Sequence, residues 1–170
     1  MSSRNISTTT ITNKIFLLRG QKVLLDRDLV QLYGVTTFNL NKAVTRNLDR
    51  FPRDFMVRLT SKEFENLIFH FGISSWGGTR KLPRAFTEQG IAMLSSVLRS
   101  KRAVHVNIAI MRAFVKLRET LSLHKELAAK LEELESKVEG HDKDIHAVFE
   151  AIRRLMREEE KPKSKIGFHI

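Results

Sequence analysis

From Leu127 to Leu155 apolar or near-apolar residues recur in alternating steps of four and three, through Leu131, Leu134, Val138, His141, Ile145, Val148 and Ile152. A register held over four heptads admits few folds, because only a helix returns one stripe to the same side every seven residues. The a positions are Leu131, Val138, Ile145 and Ile152, and the d positions are Leu127, Leu134, His141, Val148 and Leu155. β-Branched residues at a with Leu at d favour a parallel dimer. Two attractive g-to-e′ pairs would support it, Lys130 with Glu135 and Lys137 with Asp142. Residues 119–157 are therefore expected to form a coiled-coil oligomerisation helix, for a parallel dimer or a higher oligomer. Its 29-residue stripe would span about 43 Å at 1.5 Å per residue. The competing expectation is an amphipathic helix folded back on its own domain. Gly140 weakens a helix by about 1 kcal/mol and His141 suits a d position poorly, so the helix can break or bend there. The tail 158–170 (EEEKPKSKIGFHI) is charged, contains Pro162 and reads as disordered.

Charge divides the 170 residues at the same place. Residues 1–118 hold 20 basic and 7 acidic side chains, a net +13, whereas residues 119–170 hold 10 and 12, a net −2. A basic region of this strength favours a polyanionic partner, most often nucleic acid. Hydrophobic residues make up 42%, which suffices for a core. No apolar run approaches the ~18 residues of a membrane span, and MSSRNISTTT has no apolar signal core. The chain has no Cys, which excludes disulfides, thiolate zinc sites and a thiol nucleophile. The expected location is cytoplasmic, at the nucleoid when bound to DNA.

Upstream of the heptads the pattern is mixed. Residues 1–12 are Ser/Thr-rich and read as a flexible arm, and residues 13–118 as the DNA-binding domain. Lys14–Leu18 and Gln21–Leu25 flank Arg19-Gly20 as a β-hairpin. Asp26 is a plausible N-cap for a helix stopping at Gly34, and a second helix should begin after Val35-Thr36-Thr37 and run to about Asp49. Phe55–Leu59 alternates like a strand. Thr60 and Glu63 have capping-box spacing ahead of a helix ending at His70 or Phe71. Ser74–Pro83 reads as a Gly-rich loop or tight hairpin, followed by a short strand to Phe86. Thr87 can cap a helix from Glu88 to about Arg99, and a long helix starts at Ser100. The expected class is α+β: a small mixed domain with an N-terminal β-hairpin and a helix-turn-helix-like segment, then a long C-terminal helix.

The segment DRDLVQLYGVTTFNLNKAVTRNLDRF holds the most specific chemistry. Two short helices meet at Gly34, as a helix-turn-helix requires. The first buries Leu29, Val30 and Leu32, and the second Leu40, Val44 and Leu48. The opposite face then presents Asn39, Lys42, Thr45, Arg46 and Asp49. Asn can bond adenine bidentately, Arg or Lys guanine, and Thr a phosphate or a thymine methyl. Thr36 and Thr37 stand at the helix N-terminus, where backbone N–H groups favour phosphate. Arg27, Arg50 and Arg53 add charge nearby. The bland alternative is a helical hairpin with a solvated face. Arg80, Lys81 and Arg84 beside Gly77-Gly78 form a second basic element, a wing that could touch phosphates, while Trp76 reads as a core-edge residue. Arg99, Lys101 and Arg102 sit at a helix junction and can complement the C-terminus of the preceding helix.

No catalytic motif stands out. The six His residues include no H-E-x-x-H, and His141 and His146 do not share a face suited to one metal. His105 reads as a partly buried structural residue. Asp26 and Asp28 are better explained by helix N-terminal capping than as nuclease carboxylates. The expectation is a non-enzyme with no cofactor, metal or catalytic residue.

Four stretches in order, LRGQKVLLDRDLVQLYGV, LNKAVTRNLDRFPRDFMVRLT, SSWGGTRKLPRAFTEQGIAMLSSVL and VNIAIMRAFVKLR, resemble the KilA-N-type DNA-binding domain. The branch is that of phage antirepressor-like and prophage-encoded proteins, and the resemblance covers roughly residues 11–118. The ending KSKIGF is similar to a tail seen in bacterial members. The resemblance implies a bacterial or phage protein that binds DNA through its N-terminal domain and regulates transcription. It names no base-contacting residue. The expected function is sequence-specific double-stranded DNA binding in transcriptional or prophage control, as a coiled-coil dimer. The alternative is an antirepressor-type module whose partner is a repressor or host protein.

Overall fold

A computed structural model describes residues 6–71, 81–138 and 143–160. The chain divides into two compact units, one reaching to Phe114 and one running from Val115 to Pro162.

The first unit is built on a four-stranded antiparallel sheet of β1 (Phe16–Leu18), β2 (Gln21–Leu25), β3 (Met56–Arg58) and β4 (Arg84–Thr87), in the order β1-β2-β4-β3. Arg19 and Gly20 both take left-handed backbone, with φ of 52° and 79°. A two-residue turn of this kind matches the twist of the strands it joins, so the expected β-hairpin forms. Side chains alternate across the sheet. One face carries Phe16, Leu18, Val23, Leu25 and Ala85, covered by Leu67 and Phe64 of helix α4 (Ser61–Phe71). Leu24 and Phe86 point to the other face, both fully buried, and Phe51 meets Phe86 edge-on at 6.0 Å.

Three local devices set the helix starts. Thr60 Oγ1 accepts from Glu63 N at 3.2 Å and Glu63 Oε2 accepts from Thr60 N at 2.7 Å, the reciprocal capping box. Thr87 Oγ1 accepts from Gly90 N at 3.3 Å and opens α5 (Glu88–Val97). Gly90 lies so close to β3's approach that a Cβ there would stand 2.1 Å from the Phe55 carbonyl oxygen. Ser100 Oγ accepts from Ala103 N and opens α6 (Lys101–Lys137). At the start of α6, Ala103, Val106, Ile110, Ala113 and Phe114 are buried at helical spacing.

Four expectations need correction. The Ser/Thr-rich start is not wholly an arm, because Thr8–Thr12 form α1, Ser7 Oγ accepts from Thr10 N, and Ile11 is fully buried. A single large apolar side chain is enough to dock that turn. Asp26 is the first residue of its helix rather than the N-cap. Leu48 is 52% exposed, because the helix ends at Arg46 and a 3-10 turn (Leu48–Arg50) carries Leu48 off the Leu40–Val44 stripe. His105 is exposed, and its neighbours Val106 and Asn107 are the buried residues.

The heptad segment is the largest correction. It is not one continuous helix: α6 stops at Lys137 and α7 runs from Lys143 to Glu160. Within the second unit α7 folds back on the end of α6, and Leu131, Phe149 and Met156 form a buried cluster with Ala128 packed against it. Within the chain Glu135 pairs with Arg153 and with His146 Nδ1 (3.5 Å), and Lys137 with Glu133 at 2.8 Å. Leu127, Leu134, Val148 and Leu155 are exposed, Ile145 and Ile152 are just over a third exposed, and Val138 is half-buried. Trp76, the Gly77-Gly78 turn, Arg80, Gly140, His141, Asp142 and the tail from 161 lie outside the described residues.

Candidate nucleic-acid interface

Helices α2 (Asp26–Tyr33) and α3 (Thr37–Arg46) meet through Gly34-Val35-Thr36. Gly34 has φ 69°, a left-handed value that a side chain disfavours, and its N–H bonds Val30 O at 2.9 Å. The turn is also packed, since a Cβ on Gly34 would meet Arg102 Nε at 3.0 Å. Arg102 Nε donates to Leu32 O at 3.0 Å, satisfying a carbonyl in the last turn of α2. Arg99 does the same for α5, donating from Nε to Ser96 O at 3.2 Å. The junction cluster thus supplies helix C-terminal partners on two helices.

Behind the turn, Leu29, Leu32 and Tyr33 of α2 and Leu40 and Val44 of α3 are buried, while Val30 is half-buried. The Tyr33 hydroxyl donates to Asn107 Oδ1, and burial raises its pKa. Asp26 fastens α2 to the sheet: Oδ1 accepts from Arg27 N at 2.7 Å and Oδ2 from Arg84 N at 3.1 Å. Burial pushes the Asp26 carboxyl above its usual range against the pull of those two N–H groups. Asp28, also raised by burial, pairs with Lys14 at 3.4 Å. Both acids hold the fold together at the start of α2.

The outer face of α3 is thereby fixed. Thr36 caps it, its Oγ1 accepting from Asn39 N at 3.1 Å. Thr36, Thr37, Asn39, Lys42, Thr45 and Arg46 are all exposed, so six of the expected residues come together on one helix. Arg50 sits just beyond, also exposed, with Nη1 donating to Ser96 Oγ at 3.0 Å, and Arg53 is exposed in the following loop. Arg27 is half-buried in the first turn of α2. Lys81 is exposed ahead of β4, and Arg80 is not among the described residues. Arg84 is half-buried on β4, with Nη1 buried and lacking a hydrogen-bond partner among the described residues. Burial, then the Arg58 cation beside it, lower the Arg84 pKa.

One residue on this face was not expected. Phe38 is 72% exposed, with Lys42 Nζ 5.7 Å from its ring centroid. An exposed Phe on an otherwise polar face is the informative exception among surface residues. The signal was present, because Phe38 lies off the Leu40–Val44 stripe and four residues before Lys42 on the outer one. Arg102 had no such signal, since its partner stands 70 residues away.

Among the described residues no helix is long and apolar enough to cross a membrane. Comparison with protein families matches residues 13–97 to the ORF6N domain, a phage-associated domain related to antirepressor-type proteins, rather than to KilA-N itself. Neither the curated proteins nor the solved structures give a match.

Proposed function

Because the chain belongs to the ORF6N domain family, we propose that it is a sequence-specific double-stranded DNA-binding protein acting in transcriptional or prophage control. The carrying observation is the outer face of α3, where Asn39, Lys42, Thr45 and Arg46 stand exposed over a buried Leu40–Val44 stripe. A helix of about 10 Å diameter fits the major groove, and these side chains match its donor and acceptor code. The +13 of residues 1–118 would supply the phosphate attraction, with Arg50 and Arg53 beside the helix end. The role is binding rather than catalysis.

The test is selection of bound duplexes from a random pool by the full chain at physiological salt. An enriched motif is expected, with affinity falling as log[salt] rises at a slope near −0.9 per phosphate contacted. Lys42→Ala and Arg46→Ala should each cost specific binding about 1–3 kcal/mol. Substituting Lys163 or Lys165 should cost less, and equal losses at all four positions would reduce the binding to diffuse charge attraction.

Phe38 favours a second reading. An exposed aromatic is also the chemistry of a protein interface, and the family is related to antirepressor-type proteins. On that reading the same helix face docks a repressor or host protein. Absence of any enriched duplex would favour it.

A further inference from the structure

The second unit is unfinished as a single copy. Ala128, Glu135, Phe149 and Met156 occupy the e positions of the heptad register, and these face the other helix of the same chain. The d row is left out: Leu127, Leu134, Val148 and Leu155 are between 51% and 63% exposed. Between the two helices runs an open groove of about 440 Å³, lined by Leu131, Leu134, Ile145, Val148 and Ile152 at a and d, together with Phe149 and Asp144. Each helix thus has one seam closed within the chain and one seam open. A stripe of a, d and e positions is the pattern of a bundle helix with two neighbours, wider than the strict a/d seam of a two-stranded coil.

Size points the same way. Three apolar side chains, Leu131, Phe149 and Met156, are buried in this hairpin. Pieces this small depend on disulfides, metals or association. The chain has no Cys, and the described residues hold no cluster of metal ligands.

We propose that the α6–α7 hairpin pairs with the hairpin of a second copy of this chain, closing a four-helix bundle through the a and d rows. A two-fold axis lets the face meet itself, because both helices of each copy present the same rows on one side. Charge permits it: residues 119–157 carry seven basic and nine acidic side chains, so these segments approach without the repulsion that +13 would impose. The length permits it too. Eighteen residues of α7 make a face roughly 27 Å long and 20 Å across two helices. That is about 540 Å² per copy in projection, enough to clear the ~1,000 Å² total of a specific interface. The inference does not rest on DNA binding.

The test uses the full chain and reads mass by sedimentation across a concentration series. The wild-type chain should be dimeric at micromolar concentration, and Leu134→Glu with Val148→Glu should weaken the dimer by roughly a hundredfold. Both residues are exposed in the single copy, so any helix content lost with the dimer should return as protein concentration rises, and the control pair Leu134→Ile and Val148→Ile should stay dimeric. Lys130→Cys and Arg154→Cys introduce the only thiols, and spin labels there measure the distance within one chain after dilution with unlabelled protein. The hairpin requires neighbouring labels, whereas a straight coil separates them by about 36 Å. A monomer, a dimer indifferent to the glutamates, or the long distance would each overturn the proposal.

Discussion

Helix α3 and the α6–α7 hairpin are both amphipathic, yet they expose opposite halves. In α3 the apolar stripe is closed, with Leu40 and Val44 fully buried, and the polar face looks outward. In the hairpin only part of the stripe is closed and the d row looks outward. The first arrangement completes a core and leaves charge for a partner, as expected of a surface for a polyanion. The second leaves apolar surface for a partner, as expected of one for another helix pair. Periodicity alone reports both stripes equally well. What separates them is how many neighbours each helix has.

The largest effect that can break this comparison is in the closed core. Leu40→Ala should destabilise the first unit by about 2–5 kcal/mol, since the side chain is fully buried. Its unfolding midpoint should not depend on protein concentration, whereas that of the hairpin should rise with concentration. If Leu40→Ala costs less than ~1 kcal/mol in denaturant titrations, α3 is not the sealed scaffold described above.

Next comes the turn that aims α3. Gly34→Ala puts a Cβ on left-handed backbone and against Arg102, so we expect a loss of about 1–2 kcal/mol. Combining it with Arg102→Ala should relieve the steric part and leave the backbone part. Simple additivity of the two losses would mean that the Arg102 guanidinium moves aside freely.

Phe38→Ala should then separate binding from folding. With the side chain mostly exposed, stability should change by less than ~0.5 kcal/mol, while affinity for the preferred partner should fall by about 1 kcal/mol or more. If the partner is DNA, replacing thymine by uracil in the selected duplex tests the methyl contact. Loss at a thymine in wild type, and none in Phe38→Ala, would assign that base to Phe38.

How much of this was legible follows from sequence distance. The β-hairpin, the Thr60–Glu63 capping box, Gly34 and the Thr87 cap were readable because each is settled within a few residues. So was the outer face of α3, except for Phe38. Ile11, the Gly90–Phe55 approach and the Arg102–Leu32 bond depend on remote neighbours that local pattern does not specify. The heptads failed differently. The a/d register is present in the sequence, but Phe149 and Met156 at e were equally visible and mark a wider stripe. Reading only a and d gives a straight helix, whereas including e marks the seam along which α6 and α7 pack within the chain. Gly140, between the two helices, is where the sequence already weakens continuity.

The smallest expected effect concerns charge inside the closed unit, where two acids should respond to pH with opposite sign. The Arg19 guanidinium, bonded to both Glu63 oxygens at 2.7 and 2.9 Å, holds the Glu63 carboxyl below its usual range. A depressed acid stabilises the fold above its unfolded pKa, and that contribution disappears as pH falls through the depressed folded value. Burial lifts Asp26, so its contribution is present below its unfolded pKa and is lost as pH rises through the raised folded value. Glu63→Gln keeps an amide oxygen for the capping box and removes the charge, and with Arg19 half exposed it should cost less than ~1 kcal/mol at neutral pH. The difference in urea midpoint between wild type and Glu63→Gln should shrink on acidification, whereas for Asp26→Asn any advantage of the wild type should grow. Curves that run parallel for both variants would mean that neither carboxyl is shifted by folding, and the ties of Asp26 to Arg84 and of Glu63 to Arg19 would then be geometric without being electrostatic.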